Sequence, residues 1–193
     1  MPPASGTALP ILLDSPHSGR DYPPDFNYTC PHSALVYYED RFMDAVITPL
    51  AEAGAHILCA NFPRTYIDVN RAFDDIDFSG NPTEWTGPYT LNPTHRGHQG
   101  HGLIWTQAQD HKIYQGHGPD QASILKRLDQ YYMPYHAALN GALNTIEAAH
   151  GIAVYLNMHS MPDSATGGQY DIVLGTRAGS TCSKKLTDCV ADT

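Results

Sequence analysis

"VYLNMHSMPD" (residues 154–163) begins with four mostly apolar residues and runs into a histidine, a serine and a proline. Such a run is typical of a buried β-strand that stops at a turn. "ILLDSPHSG" (residues 11–19) repeats the arrangement, since it too places a histidine just past a short apolar run. In open α/β sheets, ligands bind beyond the carboxyl ends of the strands. His17 and His159 are therefore candidates for one site.

Strand-like and helix-like segments alternate on either side of these two runs, which predicts an α/β fold. Further strands are predicted at residues 56–60, 64–71 and 170–176. Helical periodicity predicts one helix within residues 34–55 and another within residues 120–151, and Pro134 must break or kink the second. Residues 73–102 are rich in Gly, Pro, Asn and Thr, which predicts a long loop. We expect a single domain over residues 1–193.

The composition excludes several classes of function. The formal net charge is −9, from 11 lysines and arginines against 20 aspartates and glutamates, so no basic face is available for a nucleic-acid backbone. No segment approaches the roughly 20 apolar residues that span a bilayer. The first residues also lack the basic start and apolar stretch of a signal peptide. We therefore expect a cytoplasmic protein without nucleic-acid or membrane partners.

The two strand-end histidines suit a metal ion. A neutral imidazole is the commonest metal ligand, and a catalytic zinc ion takes three protein ligands and leaves a fourth position to water. The third ligand should be a carboxylate, and Glu39 and Asp40 open the first long predicted helix. The alternatives are hydrogen-bonded structural histidines and ordinary acidic residues in the first turn of a helix.

A set of short segments extends this hypothesis to a known family. They are "SPHSGRDYP", "EDRFMDAV", "PRTYIDVNR", "GLI" followed by "KIY", "YYMPYHAAL", "NMHSMPD" and "DIVLGTRAGSTC". In order and approximate spacing they resemble the N-formylglutamate amidohydrolase family. The resemblance implies a zinc-exopeptidase-like fold, in which helices flank a mixed central sheet and the metal lies at its carboxyl edge. It also implies hydrolysis of N-formyl-L-glutamate to formate and L-glutamate, a step of histidine degradation.

The resemblance also implies a set of metal ligands. His17, Asp40 and His159 take the positions of the residues that hold Zn²⁺ or another divalent ion, with Glu39 as the alternative carboxylate. Zinc carboxypeptidases place a glutamate three residues after the first histidine. This chain has Arg20 at that position, which cannot ligate a metal.

The implied substrate is a small anionic amino-acid derivative with two carboxylates, which need fixed cationic partners when buried. The planar fork of arginine suits this task. "RTYIDVNR" supplies Arg64, Asn70 and Arg71, and the last two resemble the Asn-Arg pair that holds a terminal carboxylate in zinc carboxypeptidases. Arg177 and Ser160 are further candidates for substrate binding. Alternatively, the arginines form ion pairs with nearby aspartates or lie in solvent.

Hydrolysis also needs a group that takes a proton from water and delivers one to the departing nitrogen. In the family the acidic residue for this step lies beyond the "GSTC" segment, whereas this sequence ends at Thr193. We therefore expect a chain that is short relative to the family, with Arg64 and His136 as catalytic candidates. Glu84 or a loop histidine could replace His136, whose alternative role is that of a core histidine.

Two other functions stay open from the sequence. One is a related metal-dependent hydrolase that acts on N-acyl amino acids or on peptides, as a carboxypeptidase does. The other is a catalytically silent protein that retains only metal or dicarboxylate binding. His95, His98 and His101 in "THRGHQGHG" could face a substrate or a second metal, but the glycines between them argue against a helix there.

Overall fold

The secondary structure is known from a computed structural model, which describes residues 1–3, 7–165 and 167–192. The strands are β1 (Ile11–Ser15), β2 (His56–Cys59), β3 (Gln107–Ala108), β4 (His111–Lys112) and β5 (Val154–Asn157). The α-helices are α1 (His32–Val36), α2 (Met43–Ile47), α3 (His95–His98), α4 (Gln121–Arg127), α5 (Met133–His150) and α6 (Lys184–Ala191). Short 3₁₀ turns cover Thr48–Ala51 and Asp163–Ala165, and Leu128–Tyr132 form a π-helical turn.

The central sheet contains three strands in the order β2, β1, β5. All of its pairings are parallel, with Ser15 opposite Cys59 and Asp14 opposite Asn157. The mixed sheet expected from the resemblance is therefore not found in the described part of the chain. β3 and β4 pair antiparallel, but in a separate two-stranded hairpin. Because the carboxyl ends of parallel strands lie at one edge, the residues that follow β1 and β5 become neighbours.

Helices cover both faces of this sheet, as predicted. On one face Leu12 packs against Leu139 and Ile146 of α5. On the other face Leu13 packs in a cluster with Ile47 of α2, with Ile57 of β2 and with Ala51 and Ala55, which lie between these two elements. A strand buried on both faces reads as a nearly continuous apolar run, which explains why "ILLDS" predicts β1 correctly.

The largest core lies beneath the long loops. Its buried members include Phe26, Leu35, Tyr66, Ile67, Leu103, Trp105, Ile113, Ile124 and Leu128. The strand predicted at residues 64–71 is not formed, because that segment runs through turns inside this core. Asp68 N donates to Leu103 O at 2.8 Å, and Arg71 N donates to Asp68 O at 3.0 Å. The alternation of polar and apolar residues in 64–71 therefore does not separate a buried face from an exposed one.

The two long predicted helices are both interrupted. The first divides into α1, α2 and a 3₁₀ turn, and Phe42 before α2 has a left-handed backbone with φ 67°. The second is broken where Pro134 predicts it, since the π-helical turn separates α4 from α5 and Pro134 lies in the first turn of α5. Within the predicted long loop, Thr94 caps the single helical turn α3, so the expectation that glycines exclude a helix there is wrong.

The chain divides into two compact units, Met1–Ser160 and Met161–Thr193. In the second unit α6 begins after Ser183, whose side chain accepts from Leu186 N. The strand predicted at residues 170–176 is absent from the described structure, and Ile172 is 87% exposed. Among the described residues, each helix is too short or too polar to span a lipid bilayer.

Candidate metal centre

The parallel arrangement of β1 and β5 brings two histidines together. His17 follows β1 by two residues, and His159 follows β5 by two residues. Their Nδ1 atoms lie 3.1 Å apart, although 142 positions separate them in the sequence. His17 is buried, whereas His159 is partly open to solvent. The structure thus places both strand-end histidines at one edge of the sheet.

Asp40 completes the cluster. Its Oδ2 atom lies 2.8 Å from His159 Nδ1 and 3.4 Å from His17 Nδ1. The backbone fixes this position, because Asp40 N donates to His17 O at 3.0 Å. Glu39 faces elsewhere, since its carboxylate accepts from Tyr22 OH at 2.6 Å and from Arg41 Nε at 2.8 Å. Asp40, and not its neighbour, therefore faces the two histidines.

The donor set fits a divalent metal ion. Two imidazole nitrogens and a carboxylate oxygen are zinc ligands, and bonds of about 2.0–2.1 Å in a tetrahedron separate ligand atoms by about 3.3 Å. The three observed separations, 3.1, 2.8 and 3.4 Å, lie near that value. Among the described residues, this is the only group of three or more His, Cys, Asp or Glu side chains that could share an ion. Such a donor set also accepts ions other than zinc.

The carboxylate of Asp40 is held in its charged form. Burial alone would raise the pKa of Asp40, but its contacts with His159 and His17 outweigh burial and hold the pKa below its ordinary value. Ser160 Oγ donates to the other carboxylate oxygen of Asp40 at 3.3 Å. Ser160 thus orients a candidate ligand, while its predicted contact with substrate stays a prediction.

Asp68 lies directly behind His17. Its Oδ1 atom is 2.8 Å from His17 Nε2 and also accepts from Asn70 N at 3.0 Å. Burial would raise the pKa of Asp68, but the hydrogen bond and charge of His17 and the charge of Arg64 keep the pKa below its ordinary value. A carboxylate on Nε2 fixes the proton there and leaves the Nδ1 lone pair for a metal. From the sequence, Asp68 is only one of the nearby aspartates that could pair with the arginines, because its spacing carries no ligand signal.

Asn70 holds the second histidine. Asn70 Nδ2 lies 3.1 Å from His159 Nε2, and Asn70 Oδ1 accepts from Asn157 Nδ2 at 3.2 Å. Asn157 also donates to Tyr155 OH at 3.0 Å, and Tyr155 OH donates to buried Asp14 at 2.6 Å. Asn70, predicted to bind substrate, is therefore also one end of a hydrogen-bonded chain that positions His159.

The predicted arginines surround Asp68. Arg64 donates to Asp68 Oδ2 through Nη2 at 2.8 Å and Nε at 3.2 Å, so it forms the ion pair with a nearby aspartate that was its alternative role. Its guanidinium also lies 4.9 Å from the centre of the Trp105 ring. Arg71 Nε lies 3.8 Å from the same oxygen, beyond hydrogen-bonding distance. The structure thus brings Arg64 and Arg71 to Asp68, the residue that contacts the candidate ligand His17.

His136 and Arg177 are the remaining two candidates. His136 makes no direct contact with the three candidate ligands in the described structure; its Nε2 lies 3.0 Å from Val69 O, and its ring packs 4.2 Å from that of Tyr132. Arg177 belongs to the second unit, where it is exposed in a turn with φ 45°. The substrate-binding role of Arg177 stays a prediction.

The fold and the cluster define the class of protein: an α/β protein with a two-histidine, one-carboxylate centre at the carboxyl edge of a parallel sheet. Residues 9–193 match the family model of N-formylglutamate amidohydrolase, so the chain belongs to that family, as its sequence motifs predicted.

Similarity to individual proteins supports the family membership. The chain is similar to an N-formylglutamate deformylase of Pseudomonas aeruginosa, with 25% identity over 186 residues that cover 92% of this chain and 63% of the relative. A deformylase of the same name from Pseudomonas putida is 25% identical over 191 residues, which cover 93% and 64% of the two chains. The chain thus spans just under two thirds of the length of these curated relatives.

A solved structure supports the fold. The crystal structure of N-formylglutamate amidohydrolase from Ralstonia eutropha JMP134 superimposes with a TM-score of 0.85 at 38% sequence identity. The match covers 96% of this chain and 68% of that one. The predicted α/β architecture is therefore confirmed at the level of the fold.

Proposed function

We propose that this chain hydrolyses the formyl amide of N-formyl-L-glutamate to formate and L-glutamate, a reaction of histidine degradation. In this proposal His17, Asp40 and His159 hold Zn²⁺ or another divalent ion. The observation that carries it is the convergence of two Nδ1 atoms and one carboxylate oxygen at the carboxyl edge of the sheet. The names of the relatives support the choice of substrate.

The chain's own residues orient this centre. When bound, a divalent ion would supply Lewis-acid polarisation of the formyl oxygen and lower the pKa of water. Asp68 keeps the proton of His17 on Nε2, and Asn70 contacts His159 Nε2, so both Nδ1 atoms face the same point. Ser160 restrains the free oxygen of Asp40. Such contacts behind metal ligands typically change metal affinity by 10- to 100-fold.

Arg64 is the chain's candidate for stabilising negative charge in the transition state. Asp68 and the Trp105 ring hold its guanidinium in place, and 17% of the side chain stays accessible. A fixed donor of this kind stabilises charge that develops on a substrate oxygen without having to reorganise. His136 has a different role in this proposal, because its contact with the Val69 carbonyl supports the segment that carries Asn70.

The test is formate release from N-formyl-L-glutamate by the purified protein, with metal content measured by elemental analysis. We expect the His17→Ala and His159→Ala variants to lose bound metal and at least about a hundredfold in kcat/KM, because each removes one of three ligands. His111→Ala, which changes an exposed histidine of β4, is the matched control and should retain the bound metal and the wild-type kcat/KM. One equivalent of metal retained after both substitutions would refute the ligand assignment.

The same assay separates the alternative functions. Peptide cleavage without formate release would favour a carboxypeptidase. Bound metal without hydrolysis of either substrate would favour the catalytically silent protein.

A further inference from the structure

Residues 94–103 form a turn that is tied to the loop carrying Asp68. Buried Asp75 accepts from Thr94 N at 2.7 Å and from Thr94 Oγ1 at 3.0 Å. The backbone of Leu103 donates to Asp75 O at 2.7 Å and accepts from Asp68 N at 2.8 Å. Because the turn is held at both ends, its backbone has a defined position relative to the loop that carries Asp68.

Two glycines allow this close contact. A Cβ atom on Gly97 would lie 2.4 Å from Asp75 Oδ1, and one on Gly102 would lie 2.3 Å from Asp75 O. Both distances are far below van der Waals contact. The turn therefore packs against Asp75 only because these positions lack side chains.

The turn carries a further arginine, Arg96, and an imidazole, His101. Arg96 and His101 are joined by a hydrogen bond from His101 N to Arg96 O at 2.9 Å. The His101 ring packs 4.6 Å from the Trp105 ring, over which Arg64 also lies. Burial lowers the pKa of His101, and the charges of Arg96, Arg64 and Arg71 lower it further. His101 therefore packs against Trp105 and lies in the field of three arginines.

Donors outnumber acceptors in this cluster. Asp68 Oδ2 already accepts from Arg64 and from Trp105 Nε1, the latter at 3.3 Å. Arg71 Nε and His101 Nε2 are buried and have no hydrogen-bond partner among the described residues. Within the described ranges, the exposed guanidinium of Arg96 forms no ion pair either. Buried polar atoms need partners, and a concentration of positive charge attracts an anion.

We propose that Arg96, together with Arg71 and His101, binds a carboxylate of the substrate and selects dicarboxylic over monocarboxylic acyl amino acids. This inference rests on the proposed function, from which the identity of the substrate is taken. The planar fork of Arg96 offers paired N–H donors to a carboxylate. A neutral amide at the same place leaves the cations without a counter-charge, and sites built for a polar partner reject substrates that lack it.

The kinetic test compares three substrates that differ only in charge. N-Formyl-L-glutamate has both carboxylates, N-formyl-L-glutamine lacks the side-chain carboxylate, and N-formyl-L-isoglutamine lacks the α-carboxylate. In Arg96→Gln we expect KM for N-formyl-L-glutamate to rise about 10- to 100-fold, the range for a lost charged hydrogen bond. The kcat/KM for one of the two amides should stay unchanged, and that amide identifies the carboxylate that Arg96 binds. Arg96→Lys should recover part of the loss, since it keeps the charge but not the fork.

Lys126→Gln is the matched control, because Lys126 is an exposed cation of α4 that pairs with Asp25 at 2.6 Å. This variant should leave KM and kcat/KM unchanged for all three substrates. An equal fall of kcat/KM for all three substrates in Arg96→Gln would overturn the inference, as would no change at all.

If the wild-type protein releases no formate, the proposed function is refuted, and a binding measurement then tests the carboxylate site by itself. Glutarate, an unreactive dicarboxylate, is titrated calorimetrically into the metal-loaded wild type, Arg96→Gln and Lys126→Gln. Weaker binding in Arg96→Gln alone would support the carboxylate site. Equal binding in all three proteins, or no binding to the wild type, would overturn it.

Discussion

The carboxylate of Asp68 joins the metal cluster to the cationic side chains. One of its oxygens faces His17, and the other accepts from Arg64 and Trp105. The side chain is fully buried, so its charge is stable only with these partners. At the scale of single residues, therefore, the site depends on a residue that contacts neither the candidate ion nor the proposed substrate.

The Asp68→Asn variant tests this role. It should bind Zn²⁺ about 10- to 100-fold more weakly in a chelator competition, because an amide no longer fixes the proton of His17. Urea denaturation should show a loss of about 3 kcal/mol in the free energy of unfolding, since a buried ion pair is broken from one side. Asp77→Asn removes the carboxylate of the more exposed pair with His98 and should change neither quantity appreciably. Unchanged metal affinity in Asp68→Asn would refute the positioning role.

Cys59 on β2 provides a pH-dependent prediction. Burial raises the pKa of its thiol to about 11, and the charges of Asp44 and Asp14 add to the effect. The folded state therefore keeps this proton longer than the unfolded chain, whose thiol pKa is about 8.5. This contribution to stability is complete below about pH 8.5 and is lost progressively as the pH rises toward about 11. Urea unfolding at several pH values should show a steeper loss in the wild type than in Cys59→Ala, and equal slopes would contradict the prediction.

At the scale of elements, the ends of α5 are set by different residues. Pro134 lies in its first turn, where the missing N–H costs little, and the π-helical turn before it absorbs the break with α4. Gly151 ends the helix in a left-handed conformation with φ 73°, and its N–H donates to Glu147 O at 2.7 Å. Each end thus uses the residue type whose backbone suits it.

Gly141 within α5 and Gly151 directly after it form a matched pair of substitutions. Gly151→Ala should lower the free energy of unfolding by about 1 kcal/mol, because alanine is strained at positive φ. Gly141→Ala should raise it by about 0.5–1 kcal/mol, because Gly141 is helical and exposed. An added Cβ meets no atom within 4 Å at either position, so backbone conformation alone decides the sign. Urea denaturation measures the change in the free energy of unfolding for each variant. If the two changes have the same sign, the assignment of the helix end is contradicted.

At the scale of the whole molecule, the candidate metal centre links distant parts of the first unit. His17 and His159 follow two strands at opposite ends of the Met1–Ser160 unit, while Asp40 comes from the turn between α1 and α2. In the described part of the chain the central sheet has three strands, and much of the core lies beneath loops. A bound ion that bridges these segments binds the folded chain and not the unfolded one, so it should stabilise the fold.

Removal of the ion should therefore lower the melting temperature. At a free metal concentration of 100 times Kd, linkage predicts about 2.7 kcal/mol of stabilisation. For a chain of this size that corresponds to roughly 5–10 °C in Tm. Differential scanning calorimetry with and without EDTA measures the shift. The double variant His17→Ala/His159→Ala should show no shift, whereas His111→Ala should behave as the wild type. A double variant that still responds to EDTA would place the ion elsewhere.

The sequence by itself determined β1, β2 and β5, the break at Pro134, the family and the two strand-end histidines. These features are local, because an apolar run or a proline imposes its preference on its own segment. The family resemblance already favoured Asp40 over Glu39, but tertiary structure alone decided how Asp40 reaches His17, the irregular course of residues 64–71 and the positions of Asp68 and Arg96. The physical reason is that hydrogen bonds to distant backbone, such as Asp40 N to His17 O and Asp68 N to Leu103 O, outweigh local periodicity there.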